Sequence, residues 1–409
     1  MIRMMLLLLA ATAMAVLLAG CGSSHGSSQR EVGSSQQTSE PTTNETLVGR
    51  CADNGSTVRQ QEVHHGEVSN GRIAFARITE GAMTAYSKGI YVIDEEGAHE
   101  TRLPQNTQFE ANPVWSPDGQ KIAIGTLREL SLYVMNADGT NQTQLAENVS
   151  PGTIPTWSPD GGKIAFTRIG SYARRTDLYV INADGTNEAR LNTSISGRYE
   201  LGNPVWSPAG NKIAFAGLSL PDTSASSSAE AASAPAERLS GIYLINMDGT
   251  GLCKLTSTAG ELILQFGYPV WSPGGEKIAF SDVGTLNVIN ADGSGRKQLT
   301  SSTNGPGPGQ YAWSPDGKRI AFSDVGTLNV INADGSGLRY LTNTAGPSSL
   351  ALPTWSPDSE KIAFSCTFKA TVDAHTDLCV INADGTGLKR IASNVAPDEY
   401  RLAASWGRE

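Results

Sequence analysis

The chain is 409 residues long and carries 31 Lys and Arg against 40 Asp and Glu, a formal charge of −9. That balance leaves no basic face for nucleic acid, and the acidity reads as a solubility property rather than a ligand signal. Length alone admits two or three ordinary domains or one large repeat fold.

In chain order, the first segment has one basic residue at Arg3, an apolar run from Met4 to Leu18, and an abrupt change to polar residues after Cys21. A basic start, a short apolar core and small residues before a break have the shape of a secretory signal over residues 1–20. Leu18-Ala19-Gly20-Cys21 resembles the lipobox of bacterial lipoproteins, which implies cleavage before Cys21 and acylation of that residue. Several acyl chains make a stable anchor where one binds only marginally. Loss of residues 1–20 would leave a charge of −10, since Arg3 is their only charged residue. Residues 21–66 are then expected to be the lipidated cysteine and a polar tether, with too few large apolar residues to offset the entropy of ordering.

Five cysteines become four once Cys21 is assigned to lipid. In an oxidising compartment they permit disulfides. Cys366 follows the strand Ile362-Ala363-Phe364 and Cys379 lies in the next, so the two can meet diagonally on one face of a hairpin. Closing that loop would stabilise by about 3 kcal/mol in the chain-entropy model. Cys51 with Cys253 would be the remaining pair.

From residue 71 onward one unit recurs, typified by Pro155-Thr-Trp-Ser-Pro-Asp-Gly-Gly-Lys-Ile-Ala-Phe166 followed by Leu178-Tyr-Val-Ile-Asn-Ala-Asp-Gly-Thr186. Its tryptophans, Trp115, Trp157, Trp206, Trp271, Trp313, Trp355 and Trp406, are all seven in the chain. The shortest spacing, from Trp115 to Trp157, is that of propeller blades, and residues 278–295 are identical to residues 320–337. Each unit predicts four strands: a, ending at the Trp; b, Lys-Ile-Ala-Phe; c, Leu-Tyr-Val-Ile; and a short d. Ser-Pro-Asp-Gly turns a into b, because Pro pre-sets φ, Asp bonds its own backbone and Gly accepts positive φ. Asn-Ala-Asp-Gly does the same between c and d. The Trp is expected to fill the wedge between neighbouring blades.

The first unit lacks strand a, and the last, Ala403-Ala404-Ser405-Trp406, is nothing else. Pairing them predicts an all-β, seven-bladed propeller over residues 67–409, in which a C-terminal strand a completes an N-terminal b-c-d blade. Such a ring has no free sheet edges.

The pattern resembles the WD40-like PD40 repeat of the TolB family of propellers across about residues 71–409. The motifs that carry the likeness are six Trp-Ser-Pro copies, four of which continue with Asp; Ala209 and Gly274 replace that Asp, while Tyr311 and Ala404 replace the Pro before Trp. TolB itself has a further N-terminal α/β domain and a six-bladed propeller. Here a polar tether stands in that domain's place.

The a–b and c–d turns fall on one face of such a disc and are nearly invariant within this chain. The b–c and d–a connections fall on the other and carry the variation, at 168–176, 191–203, 219–240, 256–268, 365–376 and 391–404. Repeat proteins often bind through the face that receives insertions. Arg and aromatic residues there are the expected contacts: Arg168, Tyr172, Arg174, Arg175, Arg198, Tyr199, Phe266 and Tyr268.

Catalytic motifs find little support. Gly22-Ser23-Ser24-His25-Gly26 matches Gly-x-Ser-x-Gly, yet sits in the tether without the strand and helix of a nucleophile elbow. His64-His65 have no metal-pair spacing, and Asn182-Ala-Asp184-Gly-Thr186 lacks the later bidentate Glu of a calcium loop. No catalytic residue, metal or cofactor is therefore expected. The reading that follows is a monomeric, lipid-anchored propeller in the bacterial envelope, acting as a scaffold for a protein or an envelope polymer. The alternatives are a hydrolase or lyase acting on extracellular carbohydrate or peptide, and a sensor of a small ligand.

Overall fold

The computed structural model describes residues 70–80, 85–104, 113–126, 129–151, 153–170, 175–192, 199–219, 241–257, 268–282, 284–301, 310–324, 327–342, 353–366, 377–392 and 399–408. The signal segment, Cys21, the tether and Cys51 lie outside them.

The Ile-Ala-Phe element explains how the blades stack. Alternation along a strand puts Ile and Phe on one face of each sheet and Ala on the other. Ala74 and Ala76 of the first blade accordingly meet Ile122 and Ile124 of the second, Ala123 meets Ile164 and Phe166, and Ala165 meets Ile213 and Phe215. Ala214 meets Ile278 and Phe280, Ala279 meets Ile320 and Phe322, and Ala321 meets Ile362 and Phe364. Ala363 of the seventh blade then meets Ile73 and Phe75 of the first, so the order closes on itself. A small residue facing large ones lets twisted sheets interlock without voids. Phe75, Phe166, Phe215, Phe280 and Phe364 are each buried to within 1% of full exclusion, a burial worth roughly 1.5–3 kcal/mol per side chain.

The result is a ring of seven antiparallel sheets. Blade 3, for example, runs Thr156–Trp157, Lys163–Ile169, Thr176–Asn182 and Ala189–Arg190 as strands a to d. Neighbouring a strands approach one another, placing strand a at the axis and strand d at the rim. Blade 4 departs from the four-strand expectation: its a strand is split into Tyr199–Leu201 and Val205–Trp206, both paired with the long b strand Lys212–Ser219.

Ring closure uses the register of the other blades. Trp115 pairs with Ile122, Trp157 with Ile164 and Trp313 with Ile320, each through a short covalent turn. Trp406, in Glu399–Arg408, pairs with Ile73, in Asn70–Glu80, in the same way although no turn joins them.

The tryptophans lie between blades and are 5–9% exposed. Five of them donate the indole N–H to the carbonyl of the residue before the previous blade's Trp: Trp157 to Val114, Trp206 to Thr156, Trp271 to Val205, Trp313 to Val270 and Trp355 to Ala312, at 3.0–3.2 Å. The pattern changes at both joints of the closing blade. Trp406 donates to Gly71 within its own blade, and the buried Trp115 Nε1 has no partner. At that joint the Ser405 hydroxyl instead accepts the Trp115 backbone N–H at 2.9 Å.

The a–b turns are saturated by their own side chains. Ser116 Oγ donates to Asp118 at 2.5 Å and accepts from Lys121 N–H, while Asp118 also accepts from Gln120 N–H. Ser158 and Asp160 repeat the arrangement. Where Ala209 removes the carboxylate, Asn211 Oδ1 accepts the Ser207 hydroxyl hydrogen bond instead. Gly119 holds a φ of 67° in its turn; in blade 7 Ser359 adopts 66° at the same place.

These bonds hold the Asp118 and Asp160 carboxyls below the usual 3.8, with the serine hydroxyl as the larger cause in each. A depressed folded value contributes stability that is whole above the unfolded pKa and is lost as pH falls through the folded one. Asp118→Asn with Asp160→Asn should therefore flatten the fall in Tm as pH drops below about 4, measured by thermal melts down through that range. A mutant limb as steep as the parent's would reject the assignment.

Candidate functional site

The invariant face offers little to a ligand, because its turns consume their own polar groups. In the c–d turns Asp138 accepts from the Thr140 N–H and hydroxyl, and Asp184 and Asp384 do likewise with Thr186 and Thr386.

On blade 3, strand b extends as far as Ile169 and carries Arg168 past the repeat's Phe166. The Arg168 guanidinium grips both carboxylate oxygens of Glu188 at 2.6 and 2.7 Å and lies 4.6 Å from the Tyr179 ring centroid. Phe166 stacks on the same Tyr179. Beside this assembly a groove of about 500 Å³ opens between blades 2 and 3, lined by Gln144, Leu145, Ala146, Glu147, Asn148, Arg168 and Glu188. Its floor is one strand d and its wall the ion pair, so it presents charge and amide groups rather than an apolar pocket.

Behind the groove lies a second charged group. Asp177, 6% exposed, meets Arg190 at 3.0 Å and Arg175 at 3.4 Å and accepts from the Asn192 amide. Asp377, with no exposed surface, meets Arg390 at 2.8 Å at the corresponding place in blade 7. Sequence reasoning passed over these acids. The signal was present in the recurrence of Asp at the head of strand c with Arg in strand d of the same two units.

Of the anticipated contacts, Arg168 and Arg175 are thus brought together on one hairpin, each engaged by an acid of its own blade. Tyr268 does not join them. Its ring packs on Gly202, its carbonyl accepts the Tyr311 hydroxyl, and burial followed by Glu200 raises its phenol pKa. Tyr199 is placed by backbone alone, opposite Ser219. Tyr172, Arg174, Arg198 and Phe266 lie outside the described residues. Cys366 and Cys379 are joined by a disulfide with Cα atoms 6.0 Å apart, diagonal in register since Cys366 pairs with Asp377. Cys253 is also disulfide-bonded.

The Arg168–Glu188 pair belongs to a series. The residue two beyond the strand b Phe faces the residue just before strand d. Arg77 and Glu100 fill these places in blade 1, with Arg77 4.3 Å over Tyr91. In blade 5 the charges are reversed, as Asp282 and Arg296. Among the described residues no group of three or more His, Cys, Asp or Glu is arranged to hold a metal ion.

Neither a family model nor a curated protein matches the chain. Solved propellers resemble it in fold. An uncharacterised protein from Desulfotomaculum acetoxidans is 12% identical, over 81% of this chain and 99% of that one, with a TM-score of 0.53. An oligogalacturonate lyase from Vibrio parahaemolyticus is 13% identical, over 79% and 86%, at 0.50. TolB from Acinetobacter baumannii is 16% identical, over 81% and 83%, at 0.45. At these identities the likeness describes the fold alone.

Proposed function

We propose that the chain is an extracytoplasmic, lipid-anchored propeller that binds a protein or an envelope polymer through its variable face, without catalysing a reaction. The observation that carries this reading is the asymmetry of the disc. One face closes its polar groups into turns, whereas the connections of the other differ from blade to blade, and the Arg168–Glu188 groove at the rim runs up to one of them at Glu147 and Asn148. A rigid ring whose loops differ from blade to blade is suited to holding one extended partner at several points. Cys21 would fix it to the membrane, and residues 22–66 would give it reach.

A photo-crosslinking residue at Glu147, in the groove, should capture a discrete partner in intact cells, and Arg168→Glu should lower that yield at least about tenfold, the loss reported for truncating a binding hot spot. The same probe at Gln120, on an a–b turn, should capture none. Equal capture from both positions, or none from either, would reject the reading.

A further inference from the structure

Blades 5 and 6 contain a natural comparison. Because residues 278–295 and 320–337 are identical, both blades place the same Phe, Asp and Asn together: Phe280, Asp282 and Asn287 in one, Phe322, Asp324 and Asn329 in the other. The first residue after the duplication is Arg296 in blade 5 and Leu338 in blade 6.

In blade 5 that arginine fills the space among the three. Its guanidinium donates to Asp282 Oδ2 at 2.5 Å and to Asn287 Oδ1 at 3.4 Å, and lies 5.3 Å from the Phe280 centroid. The Asn287 amide nitrogen bonds Thr285 Oγ1 at 2.9 Å, which turns its oxygen toward the cation. The side chain of Arg296 remains 40% exposed, so the place is reached from solvent.

Blade 6 keeps the receptor and lacks the cation. Asn329 is 1% exposed, and its amide nitrogen bonds Thr327 Oγ1 at the same 2.9 Å. Its Oδ1 is enclosed and accepts no hydrogen bond, unlike that of Asn287; Asp324 Oδ1 is enclosed and unpartnered too, as Asp282 Oδ1 is even with Arg296 in place, so the two blades differ at the asparagine oxygen. Burial with no cation beside it raises the Asp324 carboxyl pKa. Enclosed acceptors without donors are unfavourable, and the chain elsewhere answers such an acid with arginine, at Asp282 and at Asp377. Leu338 is 42% exposed, and Tyr340, which pairs with Asn329 in register, is 75% exposed. A carboxylate, an amide oxygen and a phenylalanine ring together favour a flat, delocalised cation, as the Arg296 guanidinium over Phe280 shows in blade 5. One carboxylate and one amide oxygen are too few for calcium, which takes six to eight oxygens.

We infer that the slot formed by Phe322, Asp324 and Asn329 binds the guanidinium of an arginine side chain presented by another polypeptide, in the place that Arg296 fills in blade 5. The inference rests on the binding reading above only for the origin of that polypeptide; the slot itself is tested with a small molecule.

The probe is N-acetyl-L-arginine amide, titrated into the full chain while the Asn329 side-chain amide resonances are followed by NMR. A saturable shift is expected in the parent protein. Asp324→Asn should weaken it at least about tenfold, as expected for loss of a hydrogen bond to a charged group. Leu338→Arg should abolish it and raise Tm, because the slot is then filled from within as in blade 5. Asp282→Asn should leave it unchanged. No saturable shift in the parent, a shift that survives Leu338→Arg, or equal binding of N-acetyl-L-lysine amide would each overturn the assignment. Failure of partner capture at Glu147 would bear on the blade 2–3 groove and leave these outcomes unaltered.

Discussion

Deleting residues 399–409 is expected to abolish cooperative unfolding and to cost more than about 5 kcal/mol, well beyond the range of ordinary substitutions. The segment supplies strand a of blade 1, with eight residue pairs against Asn70–Glu80, and removes Trp406 from the cluster that joins blades 7 and 1. Its loss exposes the b strand as a free edge in a sheet whose faces are already apolar, a template for aggregation. The complementary experiment is a circular permutant. A copy of Ser116–Lys121 would join Trp406 to Ile73, since that stretch links Trp115 to Ile122 in the same register, and new ends would open within 220–240. A six-residue turn costs far less closure entropy than the connection through the whole ring, so the permutant should refold at least as readily as the parent. Guanidinium denaturation monitored by tryptophan fluorescence and far-UV circular dichroism reads both proteins. A truncated chain that melts in one transition at the parental midpoint would dispose of the closed ring.

Trp313→Ala should destabilise by about 3–5 kcal/mol, the cost of a large-to-small change in a packed interior. The ring of Trp313 packs with Ala279, Val288 and Phe322 across the joint of blades 5 and 6, and its N–H satisfies the Val270 carbonyl. Trp313→Phe keeps most of the apolar contact and gives up only the indole hydrogen bond, so a smaller loss of about 1 kcal/mol is expected. The informative control is Trp115→Phe. The Trp115 indole nitrogen is buried and donates to nothing, so its removal eliminates an unsatisfied donor and should be close to neutral. Chemical denaturation of the three variants against the parent measures the differences. If Trp115→Phe costs as much as Trp313→Phe, the indole–carbonyl bonds are not what distinguishes the regular joints from the closing one.

The charged pairs at the rim obey a different logic from the core. Arg77–Glu100, Arg168–Glu188 and Asp282–Arg296 occupy one repeat position with either polarity. Where both places are charged the signs are opposite in either order, so what is kept in these three blades is the pairing rather than particular residues. Partly exposed pairs of this kind contribute little stability, which leaves them free to vary between blades, and that freedom is what makes the unpaired Asp324 informative.

Much of the fold was legible beforehand. The Trp-Ser-Pro turns, the Ile-Ala-Phe strands and the incomplete first and last units specify blade number, strand order and closure, because turn chemistry and period-2 alternation are local properties that repetition reports seven times. The diagonal of Cys366 and Cys379 followed from the same register. The candidate site was far less legible. Arg168 and Tyr268 looked alike as loop residues of the variable face, yet one borders a groove and the other, half-buried, packs on Gly202. Residue type alone could not separate them, since the neighbours of a side chain depend on which blade it meets. The acids Asp177, Asp377 and Asp324 were harder to read for a related reason: the sequence shows an arginine, or none, thirteen or fourteen residues later, and whether it reaches the acid is decided by the fold. Local sequence determined the blades, because hydrogen-bonded turns and alternating strands are decided over a few residues. Only the tertiary structure decided which charges are answered and which are not, because electrostatic partnership is a matter of distance between strands and blades.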